Sequence, residues 1–220
     1  MEVREAAWDN GVPTDAPPLL VCTAHIHWDP EFCDVKLVQT MMLMHELRLI
    51  AEEAEVAFNG AHPNERVHLL LCGDLNSLPE SGVVEFLQTS RISSKHVDFK
   101  DLGYKSSLQR VSYASDRTTE YTHPFRLASA YNTDVMPFTN YTFDFRGIID
   151  YIFYSRPHMN VLGLLGPLDS NWLTDNKVVG APHPSVPSGE FHYLHFLGVE
   201  YNCYGNDRLS LFLRPFSSPG

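Results

Sequence analysis

No stretch of this 220-residue chain is long and apolar enough to cross a bilayer, and its first residues, Met1-Glu2-Val3-Arg4-Glu5, do not form a signal peptide. A soluble intracellular protein is expected. Cysteine is scarce: Cys22, Cys33, Cys72 and Cys203 show no Cys-x-x-Cys spacing, so reduced core thiols are expected rather than a zinc site. Basic charge is short as well, with 16 Lys and Arg against 27 Asp and Glu and a net charge of −11. That balance argues against a broad electrostatic grip on nucleic acid. It leaves room for a nuclease, because carboxylates that hold a metal ion add to the negative total and a single strand can be held by stacking. The competing reading of the composition is an acidic cytosolic domain that binds another protein. Internal repeats and charge runs are also missing. What is present is 44% hydrophobic and 12% aromatic content, enough for one domain with a sizeable core.

Residues 1–18 contain Asn10-Gly11, Pro13, Pro17 and Pro18 and read as a flexible, turn-rich leader. A strand is predicted over 19–23. Asp34 is placed to cap a helix from Val35, in which Leu37, Met41, Met44, Leu47 and Ala51 recur every three or four residues as one apolar stripe. Asn59-Gly60 and Pro63-Asn64 end that unit before a second apolar strand over 67–72. Pro79 and Ser81 open a short helix carrying Val83, Val84, Phe86 and Leu87. Residues 90–122 lack a steady period and read as a loop region with one short helix at most. Residues 148–154 and 159–165 read as a strand pair across Ser155-Arg156-Pro157. The order of elements predicts an α/β sandwich.

Chemistry gathers where the predicted strands end. Gly73-Asp74-Leu75-Asn76 follows the second strand, and two side chains two residues apart in extended chain share a face. Such a pair suits a phosphate and its hard cation, although Asp and Asn after a strand are also turn formers. Ala24-His25-Ile26-His27-Trp28-Asp29-Pro30-Glu31 follows the first strand and places His25 and His27 on one face. Farther on, Asn140-Tyr141-Thr142-Phe143-Asp144-Phe145-Arg146-Gly147 leads into an apolar strand containing Asp150. A carboxylate in that setting must be paired, hydrogen-bonded or metal-bound.

These segments resemble the endonuclease/exonuclease/phosphatase superfamily, with its strand-end Gly-Asp-x-Asn, upstream His and downstream strand Asp. The residues from His25 to Pro30, the run Gly73-Asp74-Leu75-Asn76-Ser77-Leu78-Pro79 and residues 123–175 are similar more closely to the nuclease domain of the carbon catabolite repressor type deadenylase subunit of the mRNA-deadenylating complex. The resemblance covers residues 19–188 and implies a two-sheet α/β sandwich and a Mg²⁺-dependent 3′-exoribonuclease acting on single-stranded poly(A) RNA. It implies Asp74, Asn76, His25 and Asp150 as catalytic residues, with Asp74 and Asp150 toward the metal. It further implies that Pro30 and Phe145 sandwich the adenine, that Asn140, Asn76 and His25 contact the substrate, and that Tyr141 and Phe143 pack. Subunits of the deadenylase complex are the implied partners, although the leucine-rich docking region of the relatives is not visible here. The implied compartment is the cytoplasm, with the nucleus second, and no membrane partner.

The chain also departs from the pattern. Nothing ahead of Leu19 supplies the family's metal-binding Gln-Glu, and where its Ser-Asp-His motif is expected the sequence reads Pro187-Ser188-Gly189-Glu190-Phe191. The sandwich is therefore expected to be incomplete, with one sheet's inner face open. Residues 189–220 are a non-matching tail, expected to be intron read-through, with genuine lineage-specific sequence as the alternative. Two other functions stay open: a catalytically inactive truncated isoform acting as a binding or competing module, and a phosphoesterase acting on a lipid or inositol phosphate.

Overall fold

The computed structural model describes residues 18–58, 67–100, 103, 105–114, 119–156, 159–164, 166–186, 198–202 and 208–212. All but the last residue of the leader, and the stretch 187–197, lie outside them. The chain runs β1 (Leu19–His25), α1 (Cys33–Phe58), β2 (His68–Asp74), α2 (Gly82–Thr89), β3 (Arg91–Ser93), a 3₁₀ turn (Val97–Phe99), α3 (Lys105–Val111) and β4 (Glu120–Thr122). It continues with β5 (Leu127–Ser129), β6 (Asn140–Tyr141), β7 (Arg146–Gly147), β8 (Asp150–Ser155), β9 (Met159–Val161), α4 (Ser170–Asp175), β10 (Gly198–Asn202) and β11 (Arg208–Phe212).

A helical crossover lets two strands run parallel, and α1 does this for β1 and β2. The main sheet has the order β1-β2-β8-β5, with β8 antiparallel to both neighbours. Its central strand is the most apolar: Leu69, Leu70 and Leu71 are almost wholly buried. Cys22, Leu71, Phe153 and Leu127 share one core with the predicted α1 stripe, every member of which is buried. Burying a stripe of that size is worth roughly 1.5–3 kcal/mol per large side chain, which outweighs the weak helix propensity of any single residue. Ser81 caps α2 by accepting from the Val84 N–H, and Val83, Val84, Phe86 and Leu87 are buried as the pattern predicts.

Several expectations are corrected. The long helix begins at Cys33, so Asp34 lies in its first turn. β8 begins at Asp150, because Ile148 and Ile149 form the approach to the strand. β8 and β9 are not a hairpin: β8 pairs with β2 and β5, while β9 pairs with β10 in a separate sheet of order β11-β10-β9. The tail thus contributes two strands of backbone pairing. Residues 90–122 are more ordered than their polarity suggests, with β3 paired to β4 and the 3₁₀ turn and α3 between them. On the sheet face that carries Leu70 the β1 edge is open: Val21 is 50% exposed while its register partner Leu70 is fully buried.

Candidate active site

Parallel pairing of β1 with β2 ends on His25 opposite Asp74, and antiparallel pairing of β2 with β8 sets Asp74 opposite Asp150. Directly paired residues point to the same side of a sheet, so the imidazole and both carboxylates form one row across three strand ends. Gly73 makes this possible. A Cβ there would stand 2.0 Å from the Ala24 carbonyl oxygen, so any side chain would push β1 away just before the row. His25 Nε2 lies 3.6 Å from Asp74 Oδ2. The imidazole is 70% exposed and the carboxylate only 11%, which puts a largely buried carboxyl group beneath an accessible ring.

Beyond β2 the chain makes a tight turn. Asp74 Oδ1 accepts from the Asn76 backbone N–H at 2.8 Å, and Asn76 takes the left-handed φ of 46° that Asn tolerates better than most residues. Its side-chain amide donates to the Ile26 carbonyl at 2.9 Å, while the Ile26 N–H donates to the Asp74 carbonyl at 2.9 Å. The turn role and the site role of Asp74 are therefore one arrangement. One carboxylate oxygen closes the turn and the other faces His25. Asn76 keeps one amide hydrogen for a further acceptor.

Two residues the sequence reading passed over complete this floor. Lys36, in the first turns of α1, is buried and donates from Nζ to the Asn76 carbonyl at 2.6 Å. Burial lowers its pKa, against the opposing pull of Asp29, Cys33, Asp74 and Asp98. Tyr151, register partner of Gly73, donates its hydroxyl to the Ser77 carbonyl at 2.8 Å. Only burial on folding marks either, since Lys36 falls beside the apolar stripe and Tyr151 inside an apolar strand.

Asp150 is fixed through its backbone. Its N–H and that of Ile149 donate to Thr139 Oγ1 at 3.1 and 3.0 Å, the Ile149 carbonyl accepts from Leu75, and Tyr131 donates its hydroxyl to the Asp150 carbonyl. Burial pushes both tyrosine hydroxyls far above their ordinary pKa, which keeps them neutral donors. Asn140, the next residue after Thr139, is 9% exposed, and its Oδ1 has no hydrogen-bond partner among the described residues.

Phe145, in the turn from β6 to β7, is 37% exposed, and its ring folds back over Gly147 beside Leu78, two residues past Asn76. A Cβ on Gly147 would meet Phe145 Cζ at 2.8 Å and Leu78 Cδ2 at 3.2 Å, so glycine admits the ring. Tyr141 packs against Phe138 and donates to the Val178 carbonyl, as expected. Phe143 does not pack: it is 87% exposed, because the β6–β7 turn is only four residues long and points it outward. Pro30 is exposed in a turn fixed by Asp29, whose side chain and carbonyl accept from Glu31 and Phe32. His27 contacts Trp28 and Phe32 and leaves the Trp28 indole 69% exposed.

Asp74 and Asp150 together offer the oxygen donors that a hard divalent cation prefers. Among the described residues no group of three or more His, Cys, Asp or Glu is gathered around one point, so the pair is a partial ligand set.

The sequence profile of the Endonuclease/Exonuclease/phosphatase family matches residues 14–175. The chain belongs to the endonuclease/exonuclease/phosphatase family. Nucleases of this family generally use divalent metal ions. Relatives include the CCR4-NOT transcription complex subunit 6-like of Danio rerio, 47% identical over 88% of this chain and 36% of that protein. The CCR4-Not complex 3′-5′-exoribonuclease subunit Ccr4 of Mycosarcoma maydis is 35% identical over 86% of this chain and 28% of its own length. The chain thus spans about a third of the curated relatives it matches. Among solved structures, that of ANGEL2, a 2′,3′-cyclic phosphatase, superposes with a TM-score of 0.59 at 21% identity, covering 78% of this chain and 54% of ANGEL2. This likeness supports the family's α/β fold.

Proposed function

We propose that this chain carries the strand-end catalytic face of a 3′-exoribonuclease that shortens poly(A) tails and releases 5′-AMP. The observation that carries this reading is the row of His25, Asp74 and Asp150 on three neighbouring strand ends, within a chain similar to proteins named as CCR4-NOT subunits and a 3′-5′-exoribonuclease. Asp74, mostly buried and aimed at His25, orients the attacking water and accepts its proton. His25, exposed at the mouth, donates to a phosphate oxygen, and the remaining Asn76 amide hydrogen donates to another without adding negative charge. Asp74 and Asp150 would hold Mg²⁺, which supplies neutralisation of the phosphate charge when bound.

Adenine is neutral and flat, so recognising it takes stacking and edge contacts. Phe145 and Pro30 provide the stacking surfaces. Asn140, next in the chain to the Thr139 that fixes Asp150, would supply an edge contact. Stacking surfaces favour an adenosine substrate over a lipid or inositol phosphate. Single-stranded poly(A) and subunits of the deadenylase complex are the proposed partners, with the cytoplasm, and secondarily the nucleus, as the place of action.

A second reading is supported by the two-carboxylate ligand set: a binding module that occupies poly(A) without cleaving it. One assay separates the two. The full chain is incubated with Mg²⁺ and an RNA bearing a 3′ adenosine tail, beside Asp74→Ala. Stepwise tail loss that disappears in the variant supports the nuclease. Binding without tail loss supports the competitor, and absence of binding overturns both.

A further inference from the structure

Lys36 is among the few buried charged residues of the described chain, and its ammonium group ends on the carbonyl of the residue whose amide is assigned to the phosphate. A cation in that position loses much of its hydration and is tolerated only where hydrogen bonds and counter-charge replace it. The counter-charge comes from Asp29, Asp74 and Asp98, drawn from the loop after β1, the end of β2 and the 3₁₀ turn. The hydrogen bond is the 2.6 Å contact to the Asn76 carbonyl. Asn76 is thereby held at three points: its N–H by Asp74, its side-chain amide by Ile26 and its carbonyl by Lys36. A left-handed non-glycine residue is costly on its own, and it persists where its surroundings fix it. The Lys36 side chain is itself anchored in a helix whose next turn is tied back by Thr40 Oγ1 donating to the Lys36 carbonyl.

We propose that Lys36 is a positioning residue of this site, clamping Asn76 in the left-handed turn so that its amide and the Asp74 carboxylate face the substrate phosphate. The proposal rests on the nuclease reading for its phosphate, while the clamp itself belongs to the fold. Lys36 touches no substrate and acts through Asn76. A neutral replacement of similar length removes both the donor and the charge. The Asn76 turn then samples other conformations and presents its amide only part of the time.

The test is a double-mutant cycle on the full chain, using anisotropy to follow binding of a phosphorothioate-linked oligoadenylate to wild type, Lys36→Met, Asn76→Ala and the double variant. Each single change is expected to weaken binding about tenfold, the size of one lost charge-assisted contact, and the double variant also about tenfold rather than about a hundredfold. Independent effects that multiply, or wild-type affinity in Lys36→Met, would overturn the clamp. Wild-type affinity in Asn76→Ala would instead overturn the assignment of that amide to the phosphate and leave the clamp to a second measurement. That measurement is hydrogen exchange at the Asn76 side-chain amide without RNA, expected to quicken at least tenfold in Lys36→Met and in the shorter Lys36→Gln. Unchanged exchange in a variant whose melting curve stays cooperative would refute the proposal.

Discussion

His25 and His123 occupy opposite electrostatic regions of one small molecule. His25 ends an edge strand, is 70% exposed and faces a carboxylate 3.6 Å away. His123 is buried between Phe86 and Phe125, with Nε2 2.9 Å from the Phe86 carbonyl. Burial lowers the His123 pKa to about 4, so near neutral pH this ring is a neutral donor that serves packing. The same side chain is chemistry in one place and architecture in the other. The difference is made by strand ends that open to water and a core that excludes it.

The sharpest way to break the contrast is at Asp74. Asp74→Ala is expected to lower turnover of an adenosine-tailed RNA by about a thousandfold, roughly 4 kcal/mol of transition-state stabilisation, while costing the fold about 1–3 kcal/mol for the lost turn hydrogen bond and the lost counter-charge to Lys36. Single-turnover rates and thermal melts measure the two quantities. A variant that unfolds instead would move Asp74 to the architectural side.

At His123 the expected effect is on stability and has a definite sign. The folded pKa of about 4 lies below the 6.5 of the unfolded chain, so the unfolded state binds the proton first as pH falls. Stability is complete above pH 6.5 and declines toward pH 4, by about 3 kcal/mol in total. Urea melts across that window are expected to show the decline in wild type and to lose that part of it in His123→Leu.

His25→Gln is expected to cost about 2 kcal/mol in turnover with an unchanged melting temperature, because an exposed imidazole contributes little packing. Phe145→Ala is expected to weaken oligoadenylate binding by about 1–2 kcal/mol, one lost stacking surface, with a smaller effect on the chemical step. Equal loss for oligoadenylate and an abasic analogue would show that the ring packs and does not stack.

Legibility in the sequence followed the range of the forces involved. The α1 stripe, the capped α2 and the two strands before His25 and Asp74 were readable because each depends on local period and end signals. Residues 90–122 were harder, since β3 and β4 are three-residue strands whose pairing crosses a gap that polarity fills. The expected hairpin of β8 and β9 failed for a similar reason. Nearness in sequence suggested it, yet the central position between β2 and β5 buries more of β8 than a hairpin would. Of the candidate site, the types of residue were legible and their contacts were not. Asp74, His25 and Asp150 were marked by their places beside or within apolar strands and assigned by the family resemblance, whereas Lys36 and Tyr151 carried no signal that distinguishes a clamp from a surface lysine or a core aromatic.

What the sequence by itself determined is therefore the kind of protein: alternating apolar strands and an apolar helical stripe, with Gly73 before Asp74 and Asn76 where one strand ends. Those are consequences of periodicity and backbone sterics, which act over a few residues. Only the tertiary structure decided that three strand ends, 49 to 125 residues apart along the chain, stand side by side in register, and that a buried lysine closes the floor beneath them. Sheet order and buried charge depend on which distant surfaces exclude water together, and no local pattern contains that information.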